Sequence, residues 1–230
     1  MSVRQCVFLV GGLGTRLGDL ARDIPKPMMP VAGRPFLDHL LAKAARHGFD
    51  RILLLAGHRA EVIERHLDDT GLARDLGLEV TVSVEPQPLG TGGALVHARD
   101  RLDETFLLVN GDTWFDFDWR ALADWSGYPA TLALRAVSPA DRYETVVLDG
   151  DRIAQVRPRD PGLEHGLING GVSRLTRALI PLDAAALSLE TSLLPTWCAL
   201  GRLGGRVFDG AFVDIGLPES LASAAGIVTP

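Results

Sequence analysis

Residues 7–17 read Val-Phe-Leu-Val-Gly-Gly-Leu-Gly-Thr-Arg-Leu, a short apolar run followed at once by a glycine-rich loop. An uninterrupted apolar run that ends in two glycines is typical of a buried strand in a parallel sheet. Glycines directly after such a strand allow positive φ angles and bring backbone N–H groups close to a phosphate. Arg16 adds a planar guanidinium that can bind two phosphate oxygens at once. The stretch therefore predicts a strand with a phosphate site at its carboxyl end.

This loop differs from two widespread phosphate-binding glycine motifs. A dinucleotide-binding loop needs a third glycine where the chain has Leu17, and the second predicted strand ends in Gly57-His58 without an acidic residue for a ribose. The GxxxxGK[ST] run of a P-loop does not occur in the sequence. Lys26, held between two prolines, supplies a second cation. Taken alone, the loop is equally well explained as a glycine turn with a solvated arginine.

Outward from this stretch, apolar runs alternate with helical patterns. Strands are predicted at residues 7–10, 52–56, 78–84 and 106–109, and helices at 36–47 and 62–67. Later strands, at residues 131–137, 143–148, 153–156, 207–208 and 212–213, have short connections, and further helices are predicted at 193–200 and 218–225. The pattern predicts an α/β fold with a mixed, mostly parallel central sheet flanked by helices, in one domain over residues 1–230.

Composition limits the classes of partner. The chain has 23 lysine and arginine residues against 29 aspartate and glutamate residues, a net charge of −6, and no basic tract, so we expect no nucleic-acid partner. Its two cysteines form no CxxC pair, which argues against zinc and a disulfide framework. No apolar run is long enough for a membrane helix and no signal-peptide cleavage pattern is present, so we expect a cytoplasmic protein.

Further motifs follow the glycine loop in a fixed order. They are Pro25-Lys26-Pro27-Met28, Pro30-Val31-Ala32-Gly33-Arg34-Pro35-Phe36, Glu85-Pro86-Gln87-Pro88-Leu89-Gly90-Thr91-Gly92-Gly93-Ala94, Asn110-Gly111-Asp112, Asn169-Gly170-Gly171 and Asp214-Ile215-Gly216-Leu217-Pro218. With the GGxGTRL loop, this set resembles the signature of sugar-1-phosphate nucleotidyltransferases across nearly the whole chain. Within that family it most resembles bacterial guanylyltransferases that act on a heptose 1-phosphate.

The resemblance implies a Rossmann-like nucleotidyltransferase fold of the GT-A type, small-molecule substrates and a Mg²⁺ cofactor. Asp112 and Asp214 are the implied metal ligands, and Mg²⁺ commonly takes one or two carboxylates together with phosphate oxygens. The residues with an implied catalytic role are Arg16, Lys26 and Asp112. The implied nucleotide-binding residues are Leu9, Gly11, Gly12, Gly14, Thr15, Arg16, Glu85, Leu89, Gly90, Thr91 and Asn110. Each aspartate, taken alone, is more simply a helix or turn cap.

Glu85 bears on the choice of base. A carboxylate accepts hydrogen bonds, and guanine presents two donors on one edge, whereas uracil and thymine present one. Glu85 and the loop that we predict from Leu89 to Gly93 therefore favour GTP over UTP or dTTP. The alternative is a plain loop with an exposed glutamate.

The sugar is predicted from fewer residues. The implied sugar-phosphate ligands are Glu144, Arg159, Asn169, Gly170 and Gly171. We expect the two glycines to let the backbone approach a sugar ring and Asn169 to bond hydroxyls. Pro158 stands where relatives often have a glutamate, and Glu144 either replaces that carboxylate or faces solvent. The resemblance favours D-glycero-α-D-manno-heptose 1-phosphate, and mannose 1-phosphate, other hexose 1-phosphates and a cyclitol phosphate are the alternatives.

Two other functions compete with the nucleotidyltransferase. Asp116-Phe117-Asp118 matches the DxD metal motif of glycosyltransferases, although Asp118 stands where it would cap a helix that begins at Trp119. A non-catalytic nucleotide-sugar-binding module is the second alternative. Such modules often lose a charged motif residue, whereas this chain keeps Arg16, Lys26 and both aspartates, which favours an enzyme. The sequence leaves open whether copies form a homo-oligomer.

Overall fold

The computed structural model describes residues 2–12, 14, 17–18, 24–183 and 186–228. The strands in this part of the chain are β1 Gln5–Leu9, β2 Pro30–Val31, β3 Arg34–Pro35, β4 Arg51–Ala56, β5 Glu79–Val84, β6 Thr105–Asn110, β7 Thr113–Phe115, β8 Ala130–Val137, β9 Thr145–Asp149, β10 Arg152–Arg157, β11 Gly166–Thr176, β12 Leu203–Val207 and β13 Phe212–Asp214. The α-helices are α1 Phe36–Arg46, α2 Ala60–Thr70, α3 Leu72–Asp75, α4 Gly90–His97, α5 Trp119–Ala123, α6 Leu194–Ala199 and α7 Pro218–Ala224.

Within the described ranges, the main sheet has nine strands in the order β5-β4-β1-β6-β11-β8-β12-β10-β9. The first four strands are parallel, as is the pair β12–β8. The other neighbours, from β11 onward, pair antiparallel. The predicted mixed α/β sheet is confirmed, but it is not mostly parallel: among the described strands four neighbouring pairs are parallel and four are antiparallel, because the strands from β11 onward are joined by short connections.

The strand order reverses beside β1. The chain passes from β1 to β4 and β5 on one side and then returns to β6 on the other side of β1. Leu9 and Asn110, the last residues of β1 and β6, lie opposite each other in the parallel register. Open α/β sheets bind ligands at this kind of reversal, outside the carboxyl ends of the strands.

Helices cover both faces of the sheet. On one face, α1, α2 and α7 contribute residues such as Leu40, Ile63 and Ala224 to the larger hydrophobic core. On the other face, α4 and α6 bury Leu95 and Trp197 in a second core. Two apolar faces explain why the central strands read as continuous apolar runs. No helix in the described residues has the length and apolar composition needed to cross a membrane.

Two predicted elements were wrong in type or extent. The segment predicted as a loop from Leu89 to Gly93 is the start of helix α4. Gly90 has a φ of 75°, and a Cβ on it would lie 2.7 Å from the Leu187 carbonyl oxygen, so packing against a distant segment overrides the low helix propensity of glycine. The strand predicted at 207–208 instead spans Leu203–Val207, where two glycines had concealed it.

Candidate active site

A cavity of about 530 Å³ opens at the reversal beside β1. It is lined by Leu9, Val10, Gly11, Gly12, Lys26, Pro27, Leu55, Glu85, Pro88, Gly90, Thr91, Ala94, Asn110, Gly111, Asp112 and Glu190. Most of the described residues that the motifs assign to nucleotide binding are therefore in one place. Glu85 follows β5 and Asp112 follows β6, three strand positions away, which is about 14 Å at the usual strand spacing.

Glycine stands at each of the first positions of the loop for a different physical reason. A Cβ on Gly11 would lie 3.0 Å from the Gly57 amide nitrogen, because the segments after β1 and β4 approach closely there. A Cβ on Gly12 would meet no described atom within 4 Å, so this part of the backbone faces open space in the cavity. Gly14 has a φ of 63°, a conformation that favours glycine. Thr15 and Arg16, also assigned to this loop, lie outside the described residues.

Lys26 stands between the two aspartates predicted to hold a metal. Its Nζ atom is 2.5 Å from Asp112 Oδ2 and 3.7 Å from Asp214 Oδ1. The Lys26 side chain is 11% exposed, whereas those of Asp112 and Asp214 are 33% and 28% exposed. The three side chains together carry one net negative charge, and their partial burial reduces screening by solvent. The arrangement favours the binding of a further cation.

A short antiparallel ribbon brings these aspartates together. Strand β7 pairs with β13, with Thr113 opposite Asp214, and the Ile215 N–H donates to the Asp112 carbonyl over 2.9 Å. Asp112 therefore precedes one strand of the ribbon while Asp214 ends the other. Lys26 reaches them from a 3₁₀ turn, Lys26–Met28, whose proline at its second position limits backbone freedom.

Gly216 was not predicted to have a role, and the structure places it against the ion pair. Its N–H donates to Asp214 Oδ1 over 2.7 Å. A Cβ at this position would lie 2.7 Å from Asp214 Oδ1 and 2.9 Å from Lys26 Nζ. The sequence signal was its place in the Asp214–Pro218 motif, but the reason for glycine is visible only in three dimensions.

We expect Gly216→Ala to fold normally and to lower kcat about 10-fold, since a displacement of about 1 Å can cost roughly 100-fold and these flexible side chains would move by less. The methyl group would meet the ends of two flexible side chains, which can move aside and so lose their alignment. Thermal unfolding and steady-state rates of pyrophosphate release measure the two effects. Gly226→Ala, whose Cβ would have no contact closer than 3.8 Å, is the matched control. Unchanged kcat in Gly216→Ala would contradict the steric argument.

Glu85 folds back across the ends of the neighbouring strands. Its Oε2 atom accepts a hydrogen bond from the Leu89 N–H over 3.0 Å and so closes the segment between them. A Cβ on Gly57 would lie 2.4 Å from Glu85 Oε1, so the absence of a side chain at 57 makes room for this carboxylate. Glu85 is half-buried and lines the cavity.

The start of α4 is hydrogen-bonded to the segment around Leu187. The Gly92 and Gly93 N–H groups both donate to the Leu187 carbonyl, and the Leu187 N–H donates to the Leu89 carbonyl. The Thr91 hydroxyl donates to Glu190 Oε2 over 2.7 Å. The amides of Gly92 and Gly93 therefore bind protein, while Gly90 and Thr91 still line the cavity.

Glu190 lines the cavity although nothing in the sequence analysis selected it. It lies in a π-helical turn, Leu189–Leu193, and its Oε2 atom also accepts from the Ser188 hydroxyl over 3.1 Å. A serine shortly before a glutamate would by sequence alone indicate only a helix start. Its position in the cavity results from the contact between this turn and α4.

The glycines of the Asn169-Gly170-Gly171 motif have a packing reason that was not predicted. They lie where the β11–β8 register shifts, and Gly171 has a φ of 78°. A Cβ on Gly170 would lie 2.5 Å from the Phe115 ring, and one on Gly171 would lie 3.0 Å from the Thr113 side chain. Asn169 Oδ1 accepts from the Gly171 N–H over 3.1 Å. The motif thus packs against the ribbon that carries the aspartates.

None of the five predicted sugar-phosphate ligands, all of which the structure describes, is among the residues that line the cavity. Arg159 is exposed and donates through Nε to the Asp141 carbonyl over 3.0 Å. Glu144 directly precedes β9, whose first residue, Thr145, pairs with Ile168 beside the Asn169 motif. Desolvation raises the pKa of the Glu144 carboxyl, and the negative charge of Glu190 raises that pKa further. Glu144 is therefore electrostatically coupled to a residue of the cavity.

Both acids of the DxD motif have structural partners. Asp116 Oδ1 is 2.5 Å from the Nζ atom of buried Lys43. Asp118 accepts from the Arg120 N–H at the start of α5 and lies 3.2 Å from His47 Nδ1, which confirms the predicted helix cap. These contacts do not support the glycosyltransferase alternative, which needs the DxD carboxylates for a metal.

Comparisons with known proteins agree with the motifs. Residues 5–157 match the family model described as nucleotidyl transferase. The chain is 34% identical over 217 residues to D-glycero-alpha-D-manno-heptose 1-phosphate guanylyltransferase of Campylobacter jejuni, covering 94% of this chain and 96% of that protein. It is 32% identical over 226 residues to the enzyme of the same name from Aneurinibacillus thermoaerophilus, covering 96% of each chain.

A solved structure extends this similarity to three dimensions. HddC from Yersinia pseudotuberculosis, crystallised in complex with GMP-PN, superposes with a TM-score of 0.85 and 29% identity, covering 98% of this chain and 99% of that chain. The predicted family and fold are thereby confirmed. By its ordered motifs, its sheet and its matches over most of its length, the chain belongs to the nucleotidyl transferase family.

Proposed function

We propose that the protein transfers GMP from GTP to D-glycero-α-D-manno-heptose 1-phosphate, forming GDP-heptose and pyrophosphate. The observation that carries this proposal is one cavity with Lys26 and Asp112 at the end of β6 and Glu85 at the end of β5. A cavity of this length can hold the phosphates of a nucleotide at the Lys26 end and its base at the Glu85 end. The names of the two relatives supply the choice of guanine and of heptose.

The reaction is an in-line attack of a sugar-phosphate oxygen on the α-phosphorus of GTP, with pyrophosphate as the leaving group. The nucleophile is already an anion, so no general base is needed. Catalysis consists of aligning two polyanions and neutralising the charge that develops between them. The backbone at Gly11 and Gly12 positions the phosphates, and Lys26 stabilises negative charge on the transferred group.

Asp112 and Asp214 fit the requirements of a Mg²⁺ site. Both carboxylates approach one Lys26 Nζ atom, so they converge, and carboxylate oxygens are the hard ligands that Mg²⁺ prefers. No cluster of three or more His, Cys, Asp or Glu side chains suited to a metal occurs among the residues that the structure describes. A pair of carboxylates is nevertheless sufficient where substrate phosphates complete the coordination. Asp112 and Asp214 would hold Mg²⁺, which would supply positive charge beside the reacting phosphate oxygens.

We expect GTP to be preferred over ATP, UTP and dTTP, and Glu85→Gln to reduce kcat/KM for GTP about 10-fold. A glutamine side chain has one acceptor oxygen and one donor NH₂, so it cannot accept hydrogen bonds from both guanine donors. For bases with a single donor on that edge, kcat/KM should fall less. Nucleotide competition assays before and after the substitution measure this preference. Glu64→Gln, on the exposed face of α2, is the charge-matched control. Faster turnover of UTP or dTTP by the unmodified enzyme would contradict the guanine assignment.

The sugar is tested by measuring kcat/KM side by side for D-glycero-α-D-manno-heptose 1-phosphate and mannose 1-phosphate. A pocket built to bond the additional hydroxyl of the heptose penalises mannose, because a buried polar group is then left unpaired. We expect the heptose to be preferred. Equal values or a preference for mannose would reject the heptose while leaving the guanylyltransferase assignment in place.

A further inference from the structure

We propose that Lys43, a buried lysine of α1, is a positioning residue that holds the β7–β13 ribbon and thereby sets the distance between Asp112 and Asp214. The inference rests on the proposed function, since it assigns these two aspartates to the metal. Lys43 acts on them through Asp116 and Trp114.

Lys43 is enclosed almost completely by protein. Its side chain is 2% exposed, with the Nζ atom 2.5 Å from Asp116 Oδ1. The same Nζ lies 4.7 Å from the centroid of the Trp114 ring and 5.6 Å from that of Trp119, both of which are fully buried. An ammonium group over aromatic faces is attracted by the ring quadrupole, most strongly when water is excluded.

Two of these partners, Trp114 and Asp116, belong to or adjoin one strand of the ribbon. Trp114 is the central residue of β7, and Asp116 directly follows the strand. Asp112 directly precedes it. Trp114 lies opposite Val213 in β13, and Asp214 follows in the same register. A shift of β7 relative to α1 therefore moves Asp112 and, through the ladder, disturbs Asp214.

The opposite side of the ribbon is fixed by close packing. Gly170 and Gly171 approach Phe115 and Thr113 so closely that neither position has room for a Cβ without displacement. Lys43 supplies a directional contact on the other side. The ribbon is thus held between a tight packing surface of β11 and a charged anchor of α1.

The choice of lysine requires an explanation beyond packing. Burial lowers the pKa of Lys43, while the Asp116 carboxylate raises it, which shows that desolvation opposes the charge here. An apolar side chain could fill a similar volume without that penalty. The chain contains only two lysines, Lys26 and Lys43, and uses arginine for its other basic residues. Lys26 lies between Asp112 and Asp214, and Lys43 contacts the ribbon that carries these aspartates.

The presence of only two lysines provides a direct test that does not depend on activity. In protein labelled at lysine ¹³Cε, the Lys26 resonance should broaden when Mn²⁺ binds beside Asp112 and Asp214 in the presence of GTP alone. Lys43→Met leaves Lys26 as the remaining lysine, so its signal is assigned automatically. We expect the Mn²⁺ concentration for half-broadening to rise about 10-fold in Lys43→Met, since loss of a residue that orients metal ligands typically weakens metal binding by about 10- to 100-fold.

Asp116→Ala is the second variant. It leaves the buried Lys43 ammonium without its carboxylate, so we expect a lower Tm, and Mn²⁺ binding is measured well below that Tm. It should weaken Mn²⁺ binding similarly, and the double variant should be no worse than Lys43→Met, as expected for two residues that act as a pair. Arg120→Met removes donors to Val3, His47 and Gly48 away from the ribbon, so it should lower Tm without changing Mn²⁺ binding.

Folded Lys43→Met and Asp116→Ala proteins that bind Mn²⁺ within twofold of the unmodified protein would overturn the positioning role. An equal loss of Mn²⁺ affinity in Arg120→Met would also overturn the positioning role, because it would show that lower stability alone weakens Mn²⁺ binding. Asp112→Asn separates these results from a failure of the proposed function. If that variant binds Mn²⁺ normally, the metal assignment itself is wrong, whatever the behaviour of Lys43.

Discussion

Asp112→Asn and Asp214→Asn are each expected to reduce the rate of pyrophosphate release at least ~100-fold, the scale of lost electrostatic stabilisation in active sites. Each substitution removes a carboxylate that lies within 2.5 to 3.7 Å of Lys26 Nζ. The remaining pair of side chains is then electrically neutral and no longer favours a divalent cation. The asparagine has nearly the same size, so we expect the ribbon to fold.

The measurement is the steady-state rate over a range of Mg²⁺ concentrations, with EDTA blanks and a thermal melt of each variant. Asp118→Asn is the matched control, since it removes the same charge from an exposed helix cap where asparagine serves equally well. We expect its rate to be unchanged. Near-normal turnover in both Asp112→Asn and Asp214→Asn at saturating Mg²⁺ would remove the basis for the metal site.

Lys26→Met is expected to lower kcat about 100-fold while the dissociation constant of GTP changes little. The Lys26 ammonium is mostly buried at the end of the cavity where we propose that the phosphates bind, and it lies beside two carboxylates. A cation in that position interacts most strongly with charge that develops during transfer. Loss of such an interaction lowers kcat and kcat/KM together.

GTP binding by calorimetry and single-turnover rates separate the two effects. Lys26→Arg tests whether charge alone is sufficient, and we expect little recovery because a planar guanidinium cannot occupy the space of a compact ammonium beside Gly216. An unchanged kcat in Lys26→Met with a raised KM for GTP would show that Lys26 only binds the nucleotide.

The charged end of the site was predictable because its signals are local. Val7–Val10 reads as a buried strand from composition alone, and Asp112 follows another such strand. Parallel strands present their carboxyl ends on one edge, so residues directly after them converge. Lys26 does not directly follow a strand, so its assignment to the same site as Asp112, 86 positions away, depended on the resemblance of the ordered motifs, and the structure places the two side chains 2.5 Å apart.

By itself, the sequence indicated the mixed α/β sheet through local periodicity and the placement of glycine and proline, and it indicated the family through the resemblance of its ordered motifs. Only the tertiary structure decided that Leu89–Gly93 begins a helix, that Glu190 lines the cavity, and that Gly216 must lack a side chain. The physical reason is shared by these three cases. Each conformation is set by contact with a segment far away in the chain, such as Leu187 against Gly90, and no periodicity in the sequence records which distant segments will meet.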